Sequence, residues 1–196
     1  MTLARRPSLR VVPATPDRWD DLARLFGPRG ACAGCWCMWW RLAPAEWHRG
    51  KGAANQRALR RVVGSGEAPG MIAYAGGEPV GWIAVAPREA YPRLQSSRTL
   101  KPLDDTPVWS ITCFFVAKGH RGQGVSEQLI RGAVEHARSQ GARMIEGYPV
   151  VSSAGKMPDV FAWTGLPSAF LRAGFKEAAR PSRSRRIMRK AVKAKR

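Results

Sequence analysis

The chain has 196 residues, 33 of them Lys or Arg against 14 Asp or Glu, for a formal net charge of +19. That length suits one domain with a real core, and 44% hydrophobic with 24% charged residues excludes wholesale disorder. The longest uncharged apolar stretches, Ala31–Trp40 and Thr106–Ala117, fall short of the roughly 18–20 residues that span a bilayer, and with no apolar leader after MTLARRPSLR the four cysteines are expected as free thiols in a reducing cytoplasm.

In chain order, Leu9–Pro13 predicts a short first strand. Thr15-Pro16-Asp17 supplies an N-cap, a proline at the first helical position and an early acid. Trp19, Leu22, Ala23 and Phe26 then share one helix face until Gly27. A second helix is expected from about Pro44 to Val63, basic on its outer face and closed by Gly64. Met71–Ala75 and Pro79–Ala86 flank Gly76-Gly77-Glu78, the pattern of a hairpin. Residues 88–105 read as irregular, with room for one helical turn. Pro107–Val116, dense in β-branched and aromatic residues, reads as a buried central strand. Val125, Leu129, Ile130, Ala133, Val134 and Ala137 keep a helical period up to Gly141. Ala142–Val150 predicts another strand, Pro167–Ala173 a short helix, and Arg186–Val192 a last strand preceded by a loop.

The implied fold class is α/β (mixed α+β). A central, mixed, twisted sheet of six to seven strands is flanked by helices on both faces, with a parallel crossover through the helix at 125–140. From Lys176 to Arg196 there are ten Lys/Arg and one acid. We therefore read 1–180 as a single domain and 181–196 as a basic C-terminal strand and tail.

The junction Phe114-Phe115-Val116-Ala117-Lys118-Gly119-His120-Arg121-Gly122-Gln123-Gly124-Val125-Ser126 carries the chemistry. A buried strand ends, a Gly-rich loop follows, and a helix opens out of it. Such a junction traps anions, because successive backbone N–H groups and the helix dipole point at one place. Gly122 and Gly124 let the backbone approach a phosphate closely. The loop lacks the Gly-Lys-Ser/Thr of a Walker motif and the spacing of a dinucleotide fingerprint.

Arg121-x-x-Gly124-x-Ser126, five residues after Val116, resembles the pyrophosphate motif Gln/Arg-x-x-Gly-x-Gly/Ala of the GNAT acetyltransferase superfamily, with Ser126 in the last, small position. The element order over residues 9–192, and Ser168–Phe175 ending in Gly-Phe, are similar to that family too. The resemblance implies a GNAT-type fold and an N-acetyltransferase using acetyl-CoA. The acceptor would be a primary amine of a small molecule, an amino acid or antibiotic, or a peptide, attacking directly in a ternary complex. It also implies that pantetheine enters a gap beside the central strand near Cys113–Val116. An N–H near Phe115 would then stabilise the oxyanion. Phe115, Val116, Arg121, Gly122, Gln123, Gly124, Val125 and Ser126 become the cofactor-binding residues. Two alternatives stay open: a nucleic-acid-directed relative that acetylates aminoacyl-tRNA or is tethered to RNA by its basic tail, and a CoA-binding domain without catalysis.

The family's usual acid–base groups do not carry over. The central strand offers Ser110 and Thr112 on one face and Trp109, Ile111 and Cys113 on the other, with no carboxylate. Phe170 stands where a catalytic tyrosine is common. Glu146 and Tyr148, two apart on the next strand and so on one face, are the candidate base and acid. Ordered water as base, with Glu146 paired to an arginine and Tyr148 packed at a sheet end, is the competing reading. His120 reads as a phosphate-side surface residue. Cys32-x-x-Cys35-x-Cys37 has metal-ligand spacing, but only Cys113 or His48 can complete a set, and reduced, metal-free thiols are expected. Trp36, Trp39 and Trp40 in the same segment are the candidate wall of an acceptor pocket suited to an apolar or cationic group. The expected partners are a small amine or peptide, with nucleic acid the less favoured choice, no membrane, and a monomer or homodimer.

Overall fold

The structure, a computed structural model, describes residues 9–151, 158 and 161–193. Seven strands form one sheet: β1 (Arg10–Pro13), β2 (Gly70–Ala75), β3 (Glu78–Pro87), β4 (Trp109–Val116), β5 (Met144–Gly147), β6 (Lys176–Ser182) and β7 (Arg185–Ala191). Their order across the sheet is β1-β2-β3-β4-β5-β7-β6. All neighbours are antiparallel except β4 and β5. The helices are α1 (Trp19–Phe26), α2 (Pro44–Arg49), α3 (Ala53–Gly64), α4 (Pro92–Gln95), α5 (Val125–Ser139) and α6 (Pro167–Arg172). As expected, this is a mixed sheet with helices on both faces. Among the described residues no helix is long and apolar enough to cross a membrane.

Two cores sit on the two faces. On one, Leu129, Ile130, Ala133 and Ala137 of α5 pack with Ile83, Val85, Ile111, Ile145 and Phe170. On the other, Leu22 and Phe26 of α1, Leu59 and Val63 of α3, and Trp36 cover Ile72, Trp82 and Ala84. A smaller cluster, Tyr91, Leu94, Leu100, Tyr148 and Ile187, continues that second layer.

Three elements depart from the sequence reading. The single helix expected over 44–63 is two, because Gly50-Lys51-Gly52 breaks it with Gly52 at φ +86°. The buried Asn55 then ties the break to the loop before it, donating to the carbonyls of Gly34 (3.1 Å) and Trp47 (3.3 Å). Second, Lys176–Ser182, read as loop, is the edge strand β6. Exposed on both faces and carrying charges and Pro181, it lacks the alternation that marks a half-buried strand. Its partner β7 lies between β5 and β6, so the basic C-terminus through Ala191 is built into the sheet. Third, β4 carries a bulge: Ala84 pairs with Cys113 and Val85 with Ile111, leaving Thr112 unmatched. A bulge resets the alternation, so Cys113 joins the α1–α3 core and Phe114 the α5 core.

Candidate functional site

Beyond the bulge, β4 runs to Val116, and a short 3-10 turn (Lys118–His120) leads to the extended Arg121. Gly122 (φ +74°) and Gly124 (φ +82°) take the left-handed conformation, and Gly124 is the N-cap of the 15-residue α5. A side chain at either position is strained, and no atom would contact a Cβ at Gly122. The loop is thus an open, glycine-shaped approach to the positive end of a long helix. The Gly124 carbonyl accepts the amides of Glu127 and Gln128. Arg121 folds its Nε onto the Val116 carbonyl at 3.0 Å, and Gln123 donates to the Gly119 carbonyl at 2.8 Å, which together shape the loop. Val125 is buried; Ser126 is half-buried at the helix start.

Beside this loop the sheet opens. The parallel β4–β5 ladder covers only Trp109–Ile111 against Ile145–Gly147, whereas β4 continues to Val116. Backbone directions alternate along a strand. The Phe114 amide donates to the Trp163 carbonyl at 2.7 Å and the Ala117 amide to Val80 of β3. Phe114 and Val116 therefore turn their backbone groups into the opening, and Phe115 turns its own toward β3, where it pairs with Trp82. Within the stretch Cys113–Val116 that the sequence pointed to, the strand amide turned to the opening is that of Phe114, next to Phe115. Phe115 offers its ring instead, edge-on to Phe26 at 5.8 Å. The floor of the gap is Phe170, fully buried against Phe114 and Phe175, and a Cβ on Gly147 would meet its ring at 2.1 Å.

On the other face, where β4 and β5 still pair, lies a closed polar cluster. Glu146 is 1% exposed. One of its oxygens accepts Arg189 Nε at 2.6 Å; the other accepts the Tyr148 hydroxyl at 2.7 Å and lies 3.5 Å from Arg88. The Tyr148 hydroxyl in turn accepts from Arg88 at 2.9 Å and contacts Ser110 at 2.8 Å. Arg88 also donates to the Leu94 and Leu100 carbonyls, and Arg189 reaches out to Asp104. Burial first, and then the Glu146 charge, push the Tyr148 phenol well above its ordinary pKa, so it stays protonated. Placed this way, Glu146 and Tyr148 face each other and two arginines. Together the four side chains form an internal ion network, the arrangement of the competing reading in which Glu146 pairs with an arginine.

A profile of the acetyltransferase (GNAT) family matches residues 32–152. The chain belongs to the GNAT family. Solved structures similar to it include GNAT acetyltransferases from Streptococcus agalactiae (13% identity, 94% of this chain and 96% of that one, TM-score 0.56) and Listeria monocytogenes (12%, 94% and 95%, 0.55). A third is the PaiA N-acetyltransferase of Thermoplasma acidophilum, solved in complex with coenzyme A (12%, 94% and 99%, 0.52). At such identities the likeness speaks for the fold alone. A search of curated proteins gave no match.

In this GNAT chain the predicted tryptophans separate. Trp36 is 4% exposed and packs on Trp19 (6.1 Å) and Phe26 (5.5 Å), so it is chiefly core. It also lines a cavity of about 470 Å³ together with Ala23, Gly27 and Gln56. Trp39 and Trp40 stay half-buried and meet Trp163 at 6.4 and 5.9 Å, and Trp40 donates to the carbonyl of the bulge residue Thr112 at 3.2 Å. Arg93 lies 3.5 Å over the Trp39 ring, so one face of that ring already holds a cation of the chain itself. The loop carrying these rings is strained, with Ala31, Ala33, Trp36 and Cys37 all at positive φ. Cys37 and Cys113, both buried, touch through their sulfurs at 3.1 Å, while Cys32 is exposed and Cys35 half-buried. Contact with Cys113 and then burial raise the Cys37 thiol well above its ordinary pKa. Among the described residues no group of three or more His, Cys, Asp or Glu is placed to hold a metal.

The residues that sequence reasoning missed are Arg88, Arg189 and Trp163. None of the three sits in a local pattern. Each is selected by a partner more than 40 residues away in the chain.

Proposed function

We propose that the protein is an acetyl-CoA-dependent acyltransferase that passes an acetyl group to a primary amine of a small molecule or peptide. The observation that carries this is the junction of the β4–β5 opening with a glycine-shaped loop and the N-terminus of α5. The backbone from Arg121 to Ser126 suits a pyrophosphate, because its donors are fixed in place and cost little reorganisation when an anion binds. The exposed Lys118 and Arg121 add charge around it. The in-plane groups of Phe114 and Val116 suit an extended arm that pairs with the strand as another strand would. Coenzyme A would supply the activated acyl group as a thioester. The Phe114 amide would steady the carbonyl oxygen as charge develops on it, the oxyanion stabilisation expected of a fixed backbone donor.

In this reading Glu146 and Tyr148 position the site. They tie the end of β5 to the turn after β3 through Arg88 and to β7 through Arg189, and so would hold β5 where its ladder with β4 ends and the opening begins. Proton removal from the acceptor then falls to ordered water, with proximity supplying much of the rate. The likeness to PaiA, solved with coenzyme A, supports the choice of donor. The test is thiol release from acetyl-CoA across a panel of amines, peptides and aminoacylated RNA. Release with a free amine is the expected outcome. Release with no member of the panel, by a folded protein that binds CoA, would count against catalysis.

A further inference from the structure

Three consecutive residues close the opening between β4 and β5, each held by a different partner. The Trp163 carbonyl accepts the Phe114 amide at 2.7 Å, and the Gly165 carbonyl accepts the Val150 amide at 3.1 Å. Between them the fully buried Thr164 hydroxyl accepts from Arg185 at 2.7 Å. Gly165 turns at φ +85°, where a Cβ would strike the Phe114 and Phe170 rings at 2.8 and 2.9 Å. The segment therefore rests directly on the floor of the gap. The Trp163 ring leans on Trp39 and Trp40 at the acceptor side of β4. A carbonyl of the chain is lodged on the strand amide that opens into the gap, and an indole on the aromatic wall beside it.

We propose that Trp163–Gly165 is a displaceable strap that imitates a bound acyl group, and that a thioester carbonyl reaches the Phe114 amide only by moving it. The inference rests on the acyltransferase reading given above. A buried amide left without an acceptor is costly, so a free site needs a stand-in, and the Trp163 carbonyl serves. Exchanging one carbonyl for another on that amide is close to neutral. The cost of opening lies in the anchors at Thr164 and Gly165 and in the Trp163 ring contacts. The strap is the piece of the site able to give way. Trp163 is half-buried, and Phe161 and Leu166 beside it are 60% and 43% exposed. A ligand that must open the strap binds with its intrinsic affinity multiplied by the open fraction. A ligand confined to the Arg121–Ser126 loop binds with no such reduction.

The experiment compares two ligands on the full chain by calorimetry. Acetyl-CoA engages loop and gap; 3′-phosphoadenosine 5′-diphosphate, which lacks the pantetheine arm, engages the loop alone. Thr164→Ala removes the strap's charged anchor, and we expect it to tighten acetyl-CoA about tenfold while leaving the nucleotide unchanged. In the unmodified protein, the Val150 amide should lose hydrogen-exchange protection when acetyl-CoA binds and keep it when the nucleotide binds. This second reading needs no variant and decides the matter should Thr164→Ala fail to fold. Equal shifts for both ligands, or a Val150 amide that stays protected in the acetyl-CoA complex, would overturn the strap. Failure of the nucleotide itself to bind would bring down the cofactor reading and the strap with it.

Discussion

Two polar regions sit on the same strand and behave as opposites. At the carboxyl end of β4 the candidate donors are backbone amides of an exposed loop shaped by Gly122 and Gly124. At its amino end, Ser110, Glu146, Tyr148, Arg88 and Arg189 are packed against one another, and both Glu146 oxygens are taken. The second region holds the residue types most associated with catalysis, yet its hydrogen bonds run inward. The first holds mainly glycines and amides, yet is the more exposed of the two. Burial and partner count, more than side-chain chemistry, decide which polar group is available.

Glu146→Gln probes this contrast with the largest expected effect. Removing the charge leaves Arg189 and Arg88 without their buried counter-ion, a loss of about 3–5 kcal/mol when one member of a buried pair goes. Denaturant titration checks it. A variant of native stability whose kcat alone falls would restore Glu146 to the chemistry. Gly124→Glu attacks the other region. A bulky acid at φ +82°, beside the start of α5, should weaken CoA binding roughly a hundredfold through strain and like-charge repulsion. Calorimetry on a protein whose circular dichroism is unchanged is the measurement, and native affinity would remove the loop from the cofactor site.

Tyr148→Phe sharpens the distinction further. It deletes a hydroxyl that donates to Glu146 and accepts from Arg88, and should cost about 1–3 kcal/mol of stability. The KM for acetyl-CoA should shift and the pH profile should not. The smallest effect concerns the rim of the network. Arg189 first, and then the Thr106 amide, hold Asp104 well below its ordinary carboxylate pKa of 3.8. A carboxylate depressed on folding adds stability above its unfolded value, and that stability is lost as pH falls through the folded value. Wild type and Asp104→Asn should therefore differ slightly near neutrality and converge in acid unfolding below about pH 4. Curves that stay parallel into acid would show the pair contributes nothing.

Local pattern was enough for the parts of the molecule whose cause is local. The apolar period of α5, the β-branched run of β4, the hairpin glycines before Glu78 and the strand–loop–helix junction were legible because each depends on neighbours a few residues away. The family followed from that junction, and with it the loop proposed to take the cofactor's pyrophosphate. What tertiary structure alone decided depends on which strand lies next to which. Insertion of β7 between β5 and β6 brings Arg189 to Glu146, and so turns a candidate base into an ion-pair partner. The unmatched Thr112 shifts the alternation of β4, so that Cys113 meets Cys37 and the Phe114 amide turns to the Trp163 carbonyl. The amphipathic signal of β6 was weak because an edge strand exposed on both faces has no core to alternate against. A sequence records what each residue prefers locally. Sheet order and a one-residue bulge set its distant partners, and in this protein those partners separate the groups left open to a ligand from the groups the fold consumes.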